Sequence, residues 1–449
     1  MSDTIFALAT APGRAGVAMV RLSGPDAAVA LRDLAGALPP PRQAQYAHFR
    51  DPQSGEILDD GIALYFKAPA SLTGEDVVEL QLHGSRAVLA AIFAVLGRRQ
   101  RFRLAEPGEF TKRAFLNGKL DLTAAEAVAD LVEAETAAQR RQAMRQLQGE
   151  FGRRCEEWRS RLIAAQARLE AEIDFPEEGL PAEQWAAARR EPAALRGEIA
   201  AELADDRRGE RLREGVAVTI LGPPNAGKSS LMNALARREV AITSHIAGTT
   251  RDVIEVALDL GGYPVVLADT AGLRDSADSI EEEGIRRARA RAASADLKLV
   301  VLDATKPDEA RALRDLIDAR TIIVANKIDL LRETPVAQQD SWSAESLGAG
   351  KAVRVSATSG EGIAALIARL GAAVEEILSA GTAPLVTRAR HREALEACVA
   401  ALDRFARAAL PELAAEDLRA AARALGRITG RVDVEDMLDA LFREFCIGK

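Results

Sequence analysis

The alternation of apolar and polar positions divides the chain into four stretches. Over residues 1–119, short apolar runs predict strands at Ile5–Ala9, Gly16–Leu22, Ile62–Phe66 and Val77–Leu82. Helices are expected at Ala27–Ala37, closed by Pro39–Pro41, and at Ser85–Leu96, which makes an α+β module. Over residues 120–213 the period turns helical. Thr123-x-x-Glu126 predicts a capping box. Val128, Leu131, Met144, Leu147, Phe151, Trp158, Leu162, Leu169 and Ile173 then follow helical spacing, with a break expected at Gly149–Gly152 and a stop at Pro176–Gly179. Ala182–Arg213 reads as one further helical segment. Residues 214–372 return to apolar strands, at Val216–Leu221, Val265–Ala268 and Thr321–Ala325. Residues 373–449 read as helices at Leu385–Leu410, Glu412–Leu425 and Val434–Phe445. Helical patterns therefore flank an α/β stretch. The economical reading is a discontinuous helical domain with residues 214–372 inserted, because domain termini lie close together; separate helical domains are the alternative.

The strand Val216–Leu221 runs into G-x-x-x-x-G-K-S, Gly222 to Ser229, and then into a helical pattern. Strand, glycine loop and helix are the context of a phosphate-binding P-loop. Backbone N–H groups of Asn225, Ala226, Gly227, Lys228, Ser229 and Ser230 are candidates to cradle phosphates at a helix N-terminus. Lys228 is expected to reach the β- and γ-phosphates, and the Ser229 hydroxyl to hold Mg²⁺. A second strand ends in Asp269-Thr270-Ala271-Gly272, a D-x-x-G pattern that meets Mg²⁺ through water and the γ-phosphate through the glycine N–H. A third ends in Asn326-Lys327-Ile328-Asp329. The Asp329 carboxylate can accept the N1–H and exocyclic amine of guanine, a donor pair that adenine lacks. Ser356-Ala357 would back the base with an amide. These signals, in this order, point to GTP. Between the P-loop and D-x-x-G lies Ser244-His245-Ile246-Ala247-Gly248-Thr249-Thr250, in which Thr250 is the candidate second hydroxyl on Mg²⁺. Leu273 follows D-x-x-G where a glutamine could orient water, so that task falls elsewhere. Glu281, in the acidic run Glu281–Glu283, is one candidate; the run equally suits a solvated helix N-terminus.

Composition narrows the class. With 449 residues the chain exceeds one core, and about two to four domains are expected. A net charge of −8 argues against a protein coated for nucleic acid, so any such contact is a local patch. Arg98, Arg99, Arg101 and Arg103, or Arg286, Arg287, Arg289 and Arg291, could form one; the alternative is a solvated face paired with acids. Cys155, Cys398 and Cys446 lie far apart and give no zinc spacing. The odd cysteine count, the lack of an apolar run of ~18 residues and the lack of an export signal make a cytoplasmic protein the expectation.

Taken whole, the sequence resembles the MnmE (TrmE) family of bacterial tRNA-modification GTPases. The strings that carry the resemblance are ATAPGRAG, Pro107–Leu122 (PGEFTKRAFLNGKLDL), GPPNAGKSSLMNAL, HIAGTTRD, DTAGLR and the terminal Phe445–Lys449 (FCIGK). The resemblance implies an N-terminal tetrahydrofolate-binding and dimerisation domain (1–119), a discontinuous helical domain (120–213 and 373–449) and an inserted Ras-like G domain (214–372). It implies a homodimer that, with an FAD-dependent MnmG-type partner in a heterotetramer, adds a carboxymethylaminomethyl or aminomethyl group at C5 of the wobble uridine of tRNA. The one-carbon unit would come from 5-formyl-tetrahydrofolate or a related folate. Arg21, Glu79, Lys119 and Lys449 would contact the folate, and Cys446 is a candidate catalytic cysteine. The resemblance further implies K⁺ beside the phosphates, held by Asn225, Ser244, Ile246 and Thr249, and assigns Glu281 to the attacking water. A fixed cation there offsets charge on the transferred phosphoryl group. The competing class is a regulatory switch GTPase with no direct part in modification chemistry, which folate binding would separate from the first.

Overall fold

A computed structural model of the chain describes residues 3–174, 182–238, 240–242, 255–269, 292–293, 295–333, 352–379 and 383–432, and positions 438, 441, 442, 445 and 448. The chain divides into two compact units. One holds Met1–Ala129, Gln146–Leu195 and Ala397–Lys449; the other holds Asp130–Arg145 and Arg196–Glu396.

In the first unit, β1 (Thr4–Leu8), β2 (Ala15–Ser23), β3 (Gln45–Arg50), β4 (Ile57–Phe66), β5 (Val77–Gly84) and β6 (Phe102–Leu104) form a sheet of order β3-β4-β5-β2-β1-β6. Only β1 and β6 run parallel. Strand alternation puts Val20, Leu22, Phe49, Val78 and Leu80 on a core face against Leu31 and Leu34 of α1 (Ala27–Ala35) and Ile92 and Leu96 of α2 (Arg86–Gly97). Arg21 and Glu79 fall on the other face, directly opposite each other across β2 and β5. The sequence pattern missed β3, β6 and α3 (Glu109–Leu116). β3 turns only Ala47 and Phe49 inward, and β6 has three residues, so neither offers a period to detect. In α3 a charged residue, Arg113, is fully buried.

The capping-box reading is corrected by α4 (Leu122–Glu133), which begins ahead of Thr123. Asp121 Oδ1 accepts from the Ala124 N–H at 2.8 Å and from the Thr123 hydroxyl at 2.7 Å, so the aspartate caps the helix. The expected break appears between α5 (Ala137–Leu147) and α6 (Glu150–Asp174), where Gly149 has φ 78°. The segment expected as one helix from Ala182 to Arg213 is two, α7 (Ala182–Leu203) and α8 (Arg208–Glu214). The Asp205 carboxylate takes the Arg207 N–H, and Asp206 and Arg207 adopt positive φ. Such a local side-chain bond competes with helix.

Helices distant in sequence pair up. The α6 helix lies antiparallel to α12 (Pro411–Thr429), with Glu156 accepting from Thr429 and Glu170 from Arg419. Among the described residues, no helix is long and apolar enough to cross a membrane.

In the second unit, β7 (Val216–Leu221), β8 (Glu255–Leu260), β9 (Tyr263–Asp269), β10 (Leu297–Asp303), β11 (Thr321–Asn326) and β12 (Val353–Arg354) form a sheet of order β12-β11-β10-β7-β9-β8. All neighbours are parallel except β8 and β9. Its central strands are near-continuous apolar runs, as burial on both faces requires. Helices α9 (Lys228–Ala236) and α10 (Ile363–Ser379) supply Leu231, Leu235, Leu366 and Leu370 to the core. The two ends of this stretch meet: Arg213, before β7, and Arg388, ahead of α11 (Ala389–Arg407), both donate to Asp130 Oδ1, at 2.9 and 2.6 Å.

Candidate functional site

In an open parallel sheet, ligands bind outside the carboxyl ends of the strands, where the strand order reverses. Here the order reverses at β7, whose neighbours are β9 on one side and β10 on the other. The carboxyl end of β7 opens into the P-loop, and α9 begins at Lys228. Lys228 Nζ donates to the Gly222 and Pro223 carbonyls, both at 2.9 Å. Asn225 adopts φ 63°, and its side chain and those of Ser229 and Ser230 are exposed. Ile220 pairs with Asp269, so the D-x-x-G strand ends beside the P-loop.

The N-K-x-D stretch ties two loops together. Asn326 is buried and bridges two loops: its Nδ2 donates to the Ala226 carbonyl at 2.9 Å, and its Oδ1 accepts from the Ala357 N–H at 3.1 Å. One side chain thus joins the phosphate loop to the Ser356-Ala357 loop. Gly227, at φ 93°, is required by this contact, since a Cβ there would sit 2.3 Å from Asn326 Nδ2. Ser356 is buried and its hydroxyl accepts from the Ser359 N–H. Asp329 is half-buried, and among the described residues no hydrogen bond or ion pair engages its carboxylate.

Sequence reasoning missed Asp303, the last residue of β10. Its Oδ2 accepts from Lys327 Nζ at 2.7 Å, and its Oδ1 from the Thr305 N–H and hydroxyl at 2.9 and 2.7 Å. Burial pushes the Asp303 carboxyl up, but the bonds from Lys327 and Thr305 outweigh it and hold the group below the usual carboxylate range. The available signal was an acid closing the apolar run Leu297–Asp303.

Across the first unit's sheet, Arg21 Nε and Nη2 both donate to Glu79 Oε1, at 3.0 and 2.9 Å. Arg21 Nη1 also reaches the Gly448 carbonyl at 3.4 Å, so the chain's end meets the β2–β5 pair. Gly448, at φ 99°, is needed there: a Cβ would lie 2.2 Å from the Leu8 carbonyl. Phe442 and Phe445 pack with Leu122 and Ala125 to seat the tail. Lys119 Nζ donates to the Pro69 carbonyl at 2.9 Å. A network missed from sequence stands behind this face. Arg113 bonds Asp3, Glu75 and Glu109, and Arg103 bonds Asp3 and Glu109. Burial raises the Glu109 carboxyl, yet Arg103 and the Glu106 amide hold it below its usual value.

Of the first basic cluster, Arg98 pairs with Asp51, Arg99 with Asp33 and Arg103 with Asp3 and Glu109, the pattern of a face neutralised by acids. Cys155 and Cys398 are buried, and burial pushes the Cys398 thiol up to about 12. Ser244, His245, Ile246, Ala247, Gly248, Thr249, Thr250, Thr270, Ala271, Gly272, Glu281, Cys446 and Lys449 lie outside the described residues, as do Arg286, Arg287, Arg289 and Arg291 and the side chain of Asp269.

A P-loop at the switch point of a parallel sheet, tied by an asparagine to an N-K-x-D strand, defines a P-loop protein of the Ras-like G-domain class. The chain matches the profile of the MnmE helical domain over residues 122–446 and that of the GTP-binding protein TrmE N-terminus over residues 4–119. It is 57% identical over 452 residues to the tRNA modification GTPase MnmE of Paramagnetospirillum magneticum, covering 100% of both chains. It is 54% identical over 464 residues to that of Parvibaculum lavamentivorans, again covering 100% of both. Among solved structures, the G domain of the T. maritima FeoB iron transporter aligns with 36% of this chain and 98% of its own, at 26% identity and a TM-score of 0.27. The chain belongs to the MnmE family, with a TrmE-type α+β amino-terminal domain, a discontinuous helical domain and an inserted G domain.

Proposed function

We propose that the chain is a K⁺-stimulated GTP hydrolase of tRNA modification. In this reading it works as a cytoplasmic homodimer with an FAD-dependent MnmG-type partner, adding a carboxymethylaminomethyl or aminomethyl group at C5 of the wobble uridine with a folate one-carbon unit. The observation that carries the nucleotide part is the bridge made by Asn326, three residues ahead of Asp329, which joins the P-loop to the Ser356-Ala357 loop. Asp329 selects guanine, and Lys228 exchanges its carbonyl partners for phosphate oxygens.

The donor set suits hard cations. Ser229 and Asn225 present exposed oxygen-bearing side chains at the P-loop, so Ser229 would serve Mg²⁺ with Thr250, and Asn225 would serve K⁺ with Ser244, Ile246 and Thr249. When bound, these ions offset charge on the transferred phosphoryl oxygens. Glu281 orients the attacking water. The folate site comprises Arg21, Glu79, Lys119 and Lys449; the Arg21–Gly448 contact supports it by bringing the tail to that face, and Cys446 is its candidate catalytic group. The domains of this reading are 1–119, 120–213 with 373–449, and 214–372.

GTP hydrolysis measured in K⁺ and in Na⁺ tests the cation claim: rates at least severalfold higher in K⁺ are expected, and equal rates overturn it. Wobble-uridine analysis in a deletion strain complemented by this chain tests the pathway role, and unmodified tRNA would refute it.

A further inference from the structure

We propose that Asp303 is a positioning residue for the base-selecting loop and acts through Lys327. The inference rests on the guanine-nucleotide reading above and adds to it a residue outside the recognised motifs.

Lys327 adopts φ 64°, a left-handed conformation that a side-chain-bearing residue avoids. Such a residue persists only where its surroundings over-determine it, and that condition marks functional sites. Here two contacts from the end of β10 supply the constraint. The Ala304 N–H donates to the Asn326 carbonyl at 2.8 Å, fixing the peptide just before Lys327. The Asp303 carboxylate then receives the Lys327 ammonium at 2.7 Å. Asp303 is itself immobilised, because its other oxygen takes both Thr305 donors. The carboxylate is nearly buried, at 8% exposure, whereas the lysine side chain is 30% exposed. The aspartate is thus the fixed post and the lysine the tethered group.

The consequence reaches the base. Lys327 lies between Asn326, which ties the phosphate loop, and Asp329, whose carboxylate has no partner among the described residues. Holding Lys327 in the left-handed region sets the direction in which the chain leaves Asn326 and therefore where Asp329 points. An untethered lysine lets the turn relax, and the pocket edge must be re-formed at each binding event. Binding to a state populated only in part is weaker by that fraction.

A double-mutant cycle on the full chain tests this, with a fluorescent GDP analogue as probe. Asp303→Asn keeps the shape and an acceptor for Thr305 but removes the charge facing Lys327. It should weaken GDP binding about tenfold and raise KM for GTP more than it lowers kcat, with the change mainly in the dissociation rate. Thr305→Val, which frees only one bond to Asp303, should weaken binding about two- to threefold. In a Lys327→Ala background, Asp303→Asn should change GDP affinity by less than about twofold. A full tenfold loss in that background would overturn the inference, since Asp303 would then act without the lysine. Unchanged affinity in the single Asp303→Asn variant, with an unshifted Tm, would overturn it too. Failure of the wild-type chain to bind GDP would fell the guanine reading itself, and this inference with it, and is read separately from the cycle.

Discussion

The two candidate sites use opposite construction. In the second unit, one asparagine side chain, Asn326, ties the main chain of the phosphate loop to the main chain of Ala357, at the ends of parallel strands that the sheet itself brings together. In the first unit, Arg21 and Glu79 project from the sheet face turned away from α1 and α2, and a further contact to Arg21 comes from Gly448, 427 positions away. A cradle at strand ends tolerates few side chains, and its distant segments are delivered by the sheet itself. A side-chain pair on a sheet face is easy to place and depends on whatever the rest of the unit delivers to it. Perturbing one site should therefore leave the other intact.

The strongest test of that independence is Arg113→Met. It strips the buried guanidinium from Asp3, Glu75 and Glu109, leaving Arg103 to serve Asp3 and Glu109, and Glu75 without its arginine. The first unit should lose about 3–5 kcal/mol, seen as an earlier thermal transition, with GDP affinity unaltered. Conversely, Gly227→Ala drives a Cβ into the Asn326 amide, so GDP affinity should fall about 100-fold while 5-formyl-tetrahydrofolate titrates as in wild type. Arg21→Ala removes the donor shared by Glu79 and Gly448. Folate binding should weaken about tenfold, and loss of GDP binding in this variant would break the comparison.

Acid acts more gently, and on both units. The Glu109 carboxyl lies below its usual value near 4.5 in the fold, so its stabilisation is present above that pH and lost as pH falls through the lower folded value. Asp303 behaves alike but starts from 3.8. Glu109→Gln should flatten the acid weakening of the first unit, as read from its unfolding midpoint against pH. The smallest effect is expected from Arg99→Ala, which breaks a surface pair with Asp33 and should cost below about 0.5 kcal/mol.

This asymmetry also explains what the sequence could tell. The nucleotide pocket was legible because its parts are local: glycine spacing before a helix, acids and amides at strand ends. Asp303 escaped because its role depends on β10 lying beside β11, a fact of sheet order. The Arg21–Glu79 pair was recognisable only by resemblance, since nothing in either strand announces its partner. Arg113 was invisible for a further reason: a charged residue reads as surface, and only the carboxylates converging from Asp3, Glu75 and Glu109 make its burial tolerable. Helix α8 separated from α7 because Asp205 bonded locally, a competition that helical periodicity does not register.

One oxygen of Asp130 receives Arg213 from ahead of β7 and Arg388 from beyond α10. The polypeptide carrying the nucleotide pocket therefore departs and returns at a single anion, like a bag drawn shut at its neck. Closure of that neck is fixed by the helices that hold it, and loop-closure entropy rises only slowly with the length enclosed. Insertions or trimming inside the bag should leave the neck undisturbed, and the module is by its construction one that descent or engineering can exchange whole.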